Sequence, residues 1–582
     1  MIMETDFLPP HLRKYVVEQH YEKYTPIDQA VWRYVLRQLK SFLSKNAHES
    51  YVEGLDKTGI EIERIPRIEN ISKKLKEFGW RALPVSGFIP PAAFMELQSL
   101  GVLPIASDMR SINHLLYTPA PDIVHEAAGH APILIQPEFA EYLRRYAQVA
   151  KKAILSKEDL DLYEAIRDLS DLKEMPGSTA AQIKEAEERL AYVSKHITHI
   201  SEASELSRMN WWTAEYGLIG DLENPKIFGA GLLSSVGESK WCLSPKVKKL
   251  PLTVDCIKQG YDITEPQPQL FVTPDFETLT KVLEEMADQM AFRVGGLKGL
   301  QKAIVAQSVN TAELNSGIQI SGQIVEAITD SQNEVAYLRL QGPSQLCYAD
   351  RELPGHDKGY HAHGFGTPVG FLKAFPAKCP STLSNDEWVT LGVAIGHTAK
   401  LEYTSGVMVT GKVKDLTTRD GKTIVIALTD AKAEFNGRIL FEPSWGTFDM
   451  AIGSKVVSVF GGAADREAYG EVEDFVAKRV PTTHYRQEEL DLHRQYGVLR
   501  DLREKNIQGE ALEKALTDLL TVHDLDFAAD WLLRLEAFEL VNARLPQSSL
   551  HAKLEKDLAM LSANDEHTKN LIQDGLVLAG SL

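Results

Sequence analysis

Apolar residues recur at helical spacing over roughly the first 300 positions of the chain. In TPIDQAVWRYVLRQLKSFL, Thr25 and Pro26 supply an N-cap and a first helical residue. Val31, Val35, Leu36, Leu39 and Phe42 then fall on one face. Further on, Thr179 and Gln182 form a capping-box pattern ahead of Ile183, Ala186, Leu190, Val193 and Ile197. That helix and its predecessor, marked by Leu160, Ile166 and Leu169, flank Pro176, Gly177 and Ser178, which predicts a helical hairpin.

The pattern changes near residue 310, where β-branched residues begin to alternate between glycines, as in TIVIAL and VMVTGKV. SGIQISGQI, from Ser316 to Ile324, matches SGVMVTGKV, from Ser405 to Val413, and each precedes a charged turn and another apolar strand. Two such copies predict a doubled β unit within one sandwich or barrel. Helical spacing returns after about 485, with Leu512, Leu516 and Leu519 on one face and Trp531, Leu532 and Leu535 following. The expected organisation is a mainly α domain over residues 1–310, with a helical insertion at about 155–202, then a β-rich domain at 311–475 and a helical region at 476–582.

Composition narrows the field slightly. A 582-residue chain is too long for one core. Its net charge of −18 argues against a nucleic-acid partner, which needs a basic face. No apolar run approaches a membrane span, no signal peptide is evident, and the four scattered cysteines suit a reducing cytoplasm.

The segment PDIVHEAAGH carries the first candidate chemistry. It resembles HExxH, yet His125 and His130 are five residues apart instead of four. On a regular α-helix that spacing leaves the side chains about 140° apart, so the helix must begin near His125 or bend at Gly129 for both to reach one metal. Two imidazoles without a thiolate favour zinc or ferrous iron, with a carboxylate as third ligand. Glu126 is one candidate, and Glu215, inside the aromatic run RMNWWTAEYGLIG, is another.

Several longer motifs then occur in order. YTPAPDIVHEAAGHAP (Tyr117 to Pro132), WWTAEYGL (Trp211 to Leu218), GAGLLSSVGE (Gly229 to Glu238) and TEPQPQLFV (Thr264 to Val272) follow RALPVSGFIPPAAF (Arg81 to Phe94). Together they resemble the catalytic domain of the pterin-dependent aromatic amino-acid hydroxylases. The resemblance implies His125, His130 and Glu215 as ligands of Fe(II). It puts a tetrahydropterin among Gly87, Ile89, Phe94 and Glu126. It assigns Arg110, supported by Asp122, to the carboxylate of an aromatic amino acid, and Thr118, Trp211, Ser234 and Glu238 to the pocket wall. It also implies ring hydroxylation by O2, with the pterin as two-electron donor. Val272 stands where the tyrosine-specific branch would carry an acidic residue, which favours phenylalanine; tyrosine and tryptophan stay open as substrates. A zinc hydrolase built on HEAAGH is the competing class.

Three features depart from that pattern. His130 and Glu215 lie 85 positions apart, more than in the family, and the predicted hairpin accounts for the excess as a surface insertion or a lid. Asn210 replaces an aromatic residue beside the tryptophan pair. Beyond residue 310 the resemblance ends. There GHDKGYHAHGFG offers His356, His361 and His363; on a strand His361 and His363 would share a face, but with no acidic or cysteine cluster nearby a polar glycine-rich loop is favoured over a metal site. The C-terminal helices are amphipathic, suited to packing or to a homo-oligomer contact.

Overall fold

The computed structural model describes residues 5–85, 89–115, 121–174, 178–262, 265–470, 486–521, 530–563 and 565–580. Gly87, Thr118 and the tip of the predicted hairpin lie outside these residues.

Helix Pro26–Asn46 is the central strut of the first region. Thr25 accepts from the Asp28 backbone N–H at 3.2 Å, and Asp28 accepts from the Thr25 N–H at 2.7 Å, closing a capping box. Its inner face buries Val31, Trp32, Val35, Leu36, Leu39 and Leu43; Leu43, not Phe42, completes the fully buried row. Removing a side chain such as that of Trp32 costs about 3–5 kcal/mol. Two small sheets join the helices: a parallel pair, Arg81–Val85 with Val102–Ala106, and a four-stranded sheet that includes Leu218–Ile219 and Gln269–Thr273.

The insertion forms helices Lys157–Glu174 and Ala180–Lys195, packed on each other. Thr179 and Gln182 make the expected capping box. Ala186 is the one buried residue of the second helix, so the hairpin lies on the surface.

Residues 309–461 form two antiparallel sheets. In one, Ile318–Thr329 pairs with Val335–Tyr348; in the other, Met408–Arg419 pairs with Lys422–Phe435. Helix Gly296–Ala306 packs on strand Val456–Gly461, joining this half to the first.

The C-terminal helices fold back onto the first region. One continuous core gathers buried residues from Ala30 to Met290 and again from Tyr496 to Ala579. Polar contacts fasten the return: the Tyr34 hydroxyl donates to the Leu571 carbonyl at 2.8 Å, and Arg33 donates to Glu536 at 2.6 Å and also to Glu539. Arg503 meets Glu536 from the other side at 2.6 Å. The C-terminal helices thus use apolar faces for packing within the chain. Among the described residues no helix is long and apolar enough to cross a membrane.

Candidate metal centre

The five-residue histidine spacing is resolved by backbone geometry that the α-helical reading missed. The helix begins at Val124, next to His125, as one of the two expected alternatives required, but over Val124–His130 it is a π-helix and not an α-helix. Hydrogen bonding from i to i+5 widens each turn, so residues five apart come to lie on one side. Glu215 closes a second π-helical turn, Trp211–Glu215, which continues helix Glu202–Asn210. There the Tyr216 N–H donates to the Trp211 carbonyl at 2.8 Å. Both turns rest on glycines that allow close approach. A Cβ at Gly129 would lie 2.6 Å from the Ala230 carbonyl oxygen, and one at Gly229 would lie 2.5 Å from that of Glu215.

The two turns bring His125, His130 and Glu215 together, with their ligand atoms all within 4.8 Å of one another. His125 Nε2 lies 3.4 Å from one Glu215 oxygen, and His130 Nε2 lies 3.3 Å from the other. The histidine rings meet edge to face at 88°. Ser234 donates its hydroxyl hydrogen to the Ala230 carbonyl at 2.7 Å, so it accepts at 3.0 Å from His125 Nδ1–H. That hydrogen bond leaves the His125 Nε2 lone pair facing Glu215. The Asn210 side chain, one π-turn before Glu215, hydrogen-bonds the carboxylate.

Electrostatics give the same picture. Burial would raise the Glu215 carboxyl, but His130 and His125 hold it down at about 2. Burial pushes His125 down to about 4. His130, which burial alone would lower, is pushed up to about 9 by Glu215. Two imidazoles and a carboxylate thus share one proton, which a metal cation can replace. The donor set and its convergence fit a metal with an open coordination face.

Around this cluster, Arg110 and Asp122 form a buried fork. Arg110 Nε and Nη2 donate to the two Asp122 oxygens at 2.7 and 2.8 Å, and Nη1 donates to the Ser234 carbonyl at 3.2 Å. Asp122 also accepts from the His125 backbone N–H at 3.0 Å, tying the fork to the histidine turn. Glu126 is buried 3.9 Å from His130 Nε2, and burial pushes its carboxyl up to about 8.

The other expected site residues have surroundings of their own. Ile89 and Phe94 sit in a separate small apolar cluster beside the parallel strand pair. Trp211, expected to stack on a substrate ring, instead stacks on Tyr216 and Tyr261, with ring centroids 4.5 and 4.3 Å away. Ser234, expected in the pocket wall, makes its contact with His125. Glu238 is half-buried, and burial pushes it up to about 7. The sequence reading missed the roles of Asn210 and Tyr261. A five-residue offset from Glu215, matching that of the histidines, was the available signal for Asn210.

Comparison with known proteins accords with this geometry. Residues 15–154 and 186–313 match the family described as biopterin-dependent aromatic amino acid hydroxylase, and the gap between them falls in the surface hairpin. The chain is 30% identical over 269 residues to a phenylalanine-4-hydroxylase of Mesorhizobium japonicum, covering 46% of this chain and 81% of that protein. It is 28% identical over 264 residues to the phenylalanine-4-hydroxylase of Pseudomonas aeruginosa, covering 45% of this chain and 84% of the relative. A solved phenylalanine hydroxylase from Chromobacterium violaceum, with bound iron(III) and 7,8-dihydrobiopterin, is 25% identical over 47% of this chain and 87% of its own, at a TM-score of 0.37. The chain belongs to the biopterin-dependent aromatic amino acid hydroxylases.

Proposed function

We propose that the protein hydroxylates free phenylalanine to tyrosine, using O2, a tetrahydropterin and Fe(II) held by His125, His130 and Glu215. The convergence of those three side chains from two π-helical turns carries the reading. The names of the two bacterial relatives support phenylalanine as the ring. Bound there, the iron and the pterin supply O2 activation and two reducing electrons.

The chain's own groups bind and orient. Among the described residues, three of Arg110's five N–H donors are engaged, which leaves donors suited to a substrate carboxylate. Asp122 fixes the plane of that guanidinium. Ser234 keeps the His125 ring in one tautomer and orientation, and Asn210 steadies Glu215. Glu126, Ile89 and Phe94 are the described residues we assign to the pterin, Glu126 beside His130 and the other two in the apolar cluster next to the parallel strand pair. Burial of His130, Arg110 and Asp122 keeps bulk water from the reacting groups.

Four cysteines without a disulfide support a reducing, cytoplasmic setting. The repeated segments of the β half support a doubled unit. Gly317 and Gly406 adopt φ of +95° and +97° just before their paired 12-residue strands.

The test is product analysis with phenylalanine, tyrosine and tryptophan offered in turn to the iron-loaded chain. Tyrosine formation from phenylalanine is expected at a kcat/KM at least about tenfold above that for the other rings, a gap of about 1.4 kcal/mol. Preference for tryptophan or tyrosine would overturn the choice of substrate and leave the family intact.

A further inference from the structure

A second cluster of two histidines and a carboxylate lies in the β half. His356 and His361 sit in the turn that follows strand Arg351–Glu352, and His363, two residues on, is exposed and apart from them. The glycine-rich segment is therefore not a strand with a His-x-His face. Asp357 accepts from the Gly359 and Tyr360 backbone N–H groups at 2.7 and 2.8 Å, and its carbonyl accepts from the His361 N–H. That tight turn brings the two rings nearly parallel, at 14°, with His356 Nδ1 and His361 Nε2 3.1 Å apart. The ring centroids lie 5.4 Å apart, so the two nitrogens face each other across that gap, and an ion bound to both would tilt the rings apart.

The missing acid arrives from the other sheet. Asp449 is on strand Phe448–Ala451, locked in register opposite Ala427, and its carboxylate lies within 4.8 Å of the histidine ligand atoms. His361 and Asp449 are both buried, at 7% and 6% exposure. The Tyr360 hydroxyl hydrogen-bonds Asp449, as an outer-shell group orients a ligating carboxylate. The rings of Tyr360 and Phe365 pack edge-on against His361, walling the cluster on two sides.

We propose that His356, His361 and Asp449 form a second metal site, which takes a divalent first-row transition ion such as zinc and ties the two β sheets together. Two imidazole nitrogens and one carboxylate oxygen match the ligand preferences of such ions, and the three-ligand set leaves a position for water. The ion would close the long chain segment between His361 and Asp449, stabilising the β half without any new packing.

The test uses the full chain, stripped with a chelator and titrated with Co(II), which reports coordination by its visible spectrum and X-ray absorption. The unaltered chain is expected to bind two equivalents. A chain carrying His125→Gln and Glu215→Gln is expected to bind one, with scattering from two imidazoles. Asp449→Asn or His361→Gln on that background is expected to remove it, and Tyr360→Phe to weaken it about 10–100-fold. The proposal is overturned if the His125→Gln, Glu215→Gln chain retains no cobalt. It is equally overturned if the retained cobalt shows no imidazole scattering, or if Asp449→Asn and His361→Gln leave the count unchanged. In those cases the histidine pair is simply an N–H···N hydrogen bond. The first of these readouts needs no change in the β half, so misfolding of a β variant cannot mask the outcome.

Discussion

The two histidine–histidine–carboxylate clusters share a sequence spacing and differ in everything that produces it. In each, the histidines are five residues apart and the acid follows far downstream. In the first region a π-helix overlays His125 on His130, and a second π-turn delivers Glu215. In the β half an Asp357-capped turn folds His361 back onto His356, and a strand of the opposite sheet delivers Asp449. Spacing therefore says little about a ligand pair until the backbone between the ligands is known. Their surroundings differ as well. The first cluster is wired to a buried Arg110–Asp122 fork and to Ser234, which suits binding a charged substrate beside a metal. The second is walled by aromatic rings and joins two sheets, which suits a structural clamp.

The largest expected effect separates the clusters by function. His130→Ala removes a ligand from the first cluster, and hydroxylation should fall by at least about a thousandfold, beyond the 10–100-fold expected of outer-shell changes. Steady-state product formation measures it, and a loss of less than tenfold would put the metal elsewhere.

The next effect concerns what holds the first cluster's scaffold. Arg33→Ala leaves Glu536 and Glu539 buried against the remaining arginines, a loss of about 3–5 kcal/mol for a broken buried pair. Differential scanning calorimetry should show the helical transition moving down while the β transition stays in place. A shift of both would mean that the β half depends on the C-terminal helices too.

Ser234→Ala sharpens the contrast in second-layer wiring. Without the hydroxyl, the His125 ring loses its fixed orientation, and iron affinity should weaken about 10–100-fold with the fold intact. Competition with a chelator reads this directly; an unchanged affinity would reduce Ser234 to a helix-end hydrogen bond.

The smallest effect is a pH dependence. The Glu238 carboxyl is pushed up to about 7 in the folded chain, so between about 4.5 and 7 the folded state keeps a proton that the unfolded state has released. Stability should therefore decline as pH rises through that window, and Glu238→Gln should remove this component. Urea midpoints at pH 5 and 7 check it.

Much of the first region was legible because its signals are local or densely grouped. The N-cap at Thr25, the capping box at Thr179 and the insertion hairpin follow from short-range patterning. The three residues of the first cluster were legible through motifs that occur in order. The π-turns were not, since apolar periodicity is read against an α-helical template and a single widened turn leaves it unchanged. The stacking of Trp211 between its own neighbours was also hidden, because Tyr261 approaches from a distant loop. In the β half the three histidines were visible but the pairing of His356 with His361 was not, and Asp449 lies in FDMA, a four-residue strand with nothing to tie it to the histidines until the sheets are built. The return of the C-terminal helices to helix Pro26–Asn46 was likewise beyond patterning, which reveals an apolar face and not its partner.

The most direct test of the central claim is reconstitution of the metal-free chain with Fe(II) or with Zn(II), followed by O2 uptake in the presence of phenylalanine and a tetrahydropterin. The account predicts uptake coupled to tyrosine formation with iron alone, and none in Glu215→Ala. Zinc-dependent peptide hydrolysis, or tyrosine formation undiminished in Glu215→Ala, would contradict it.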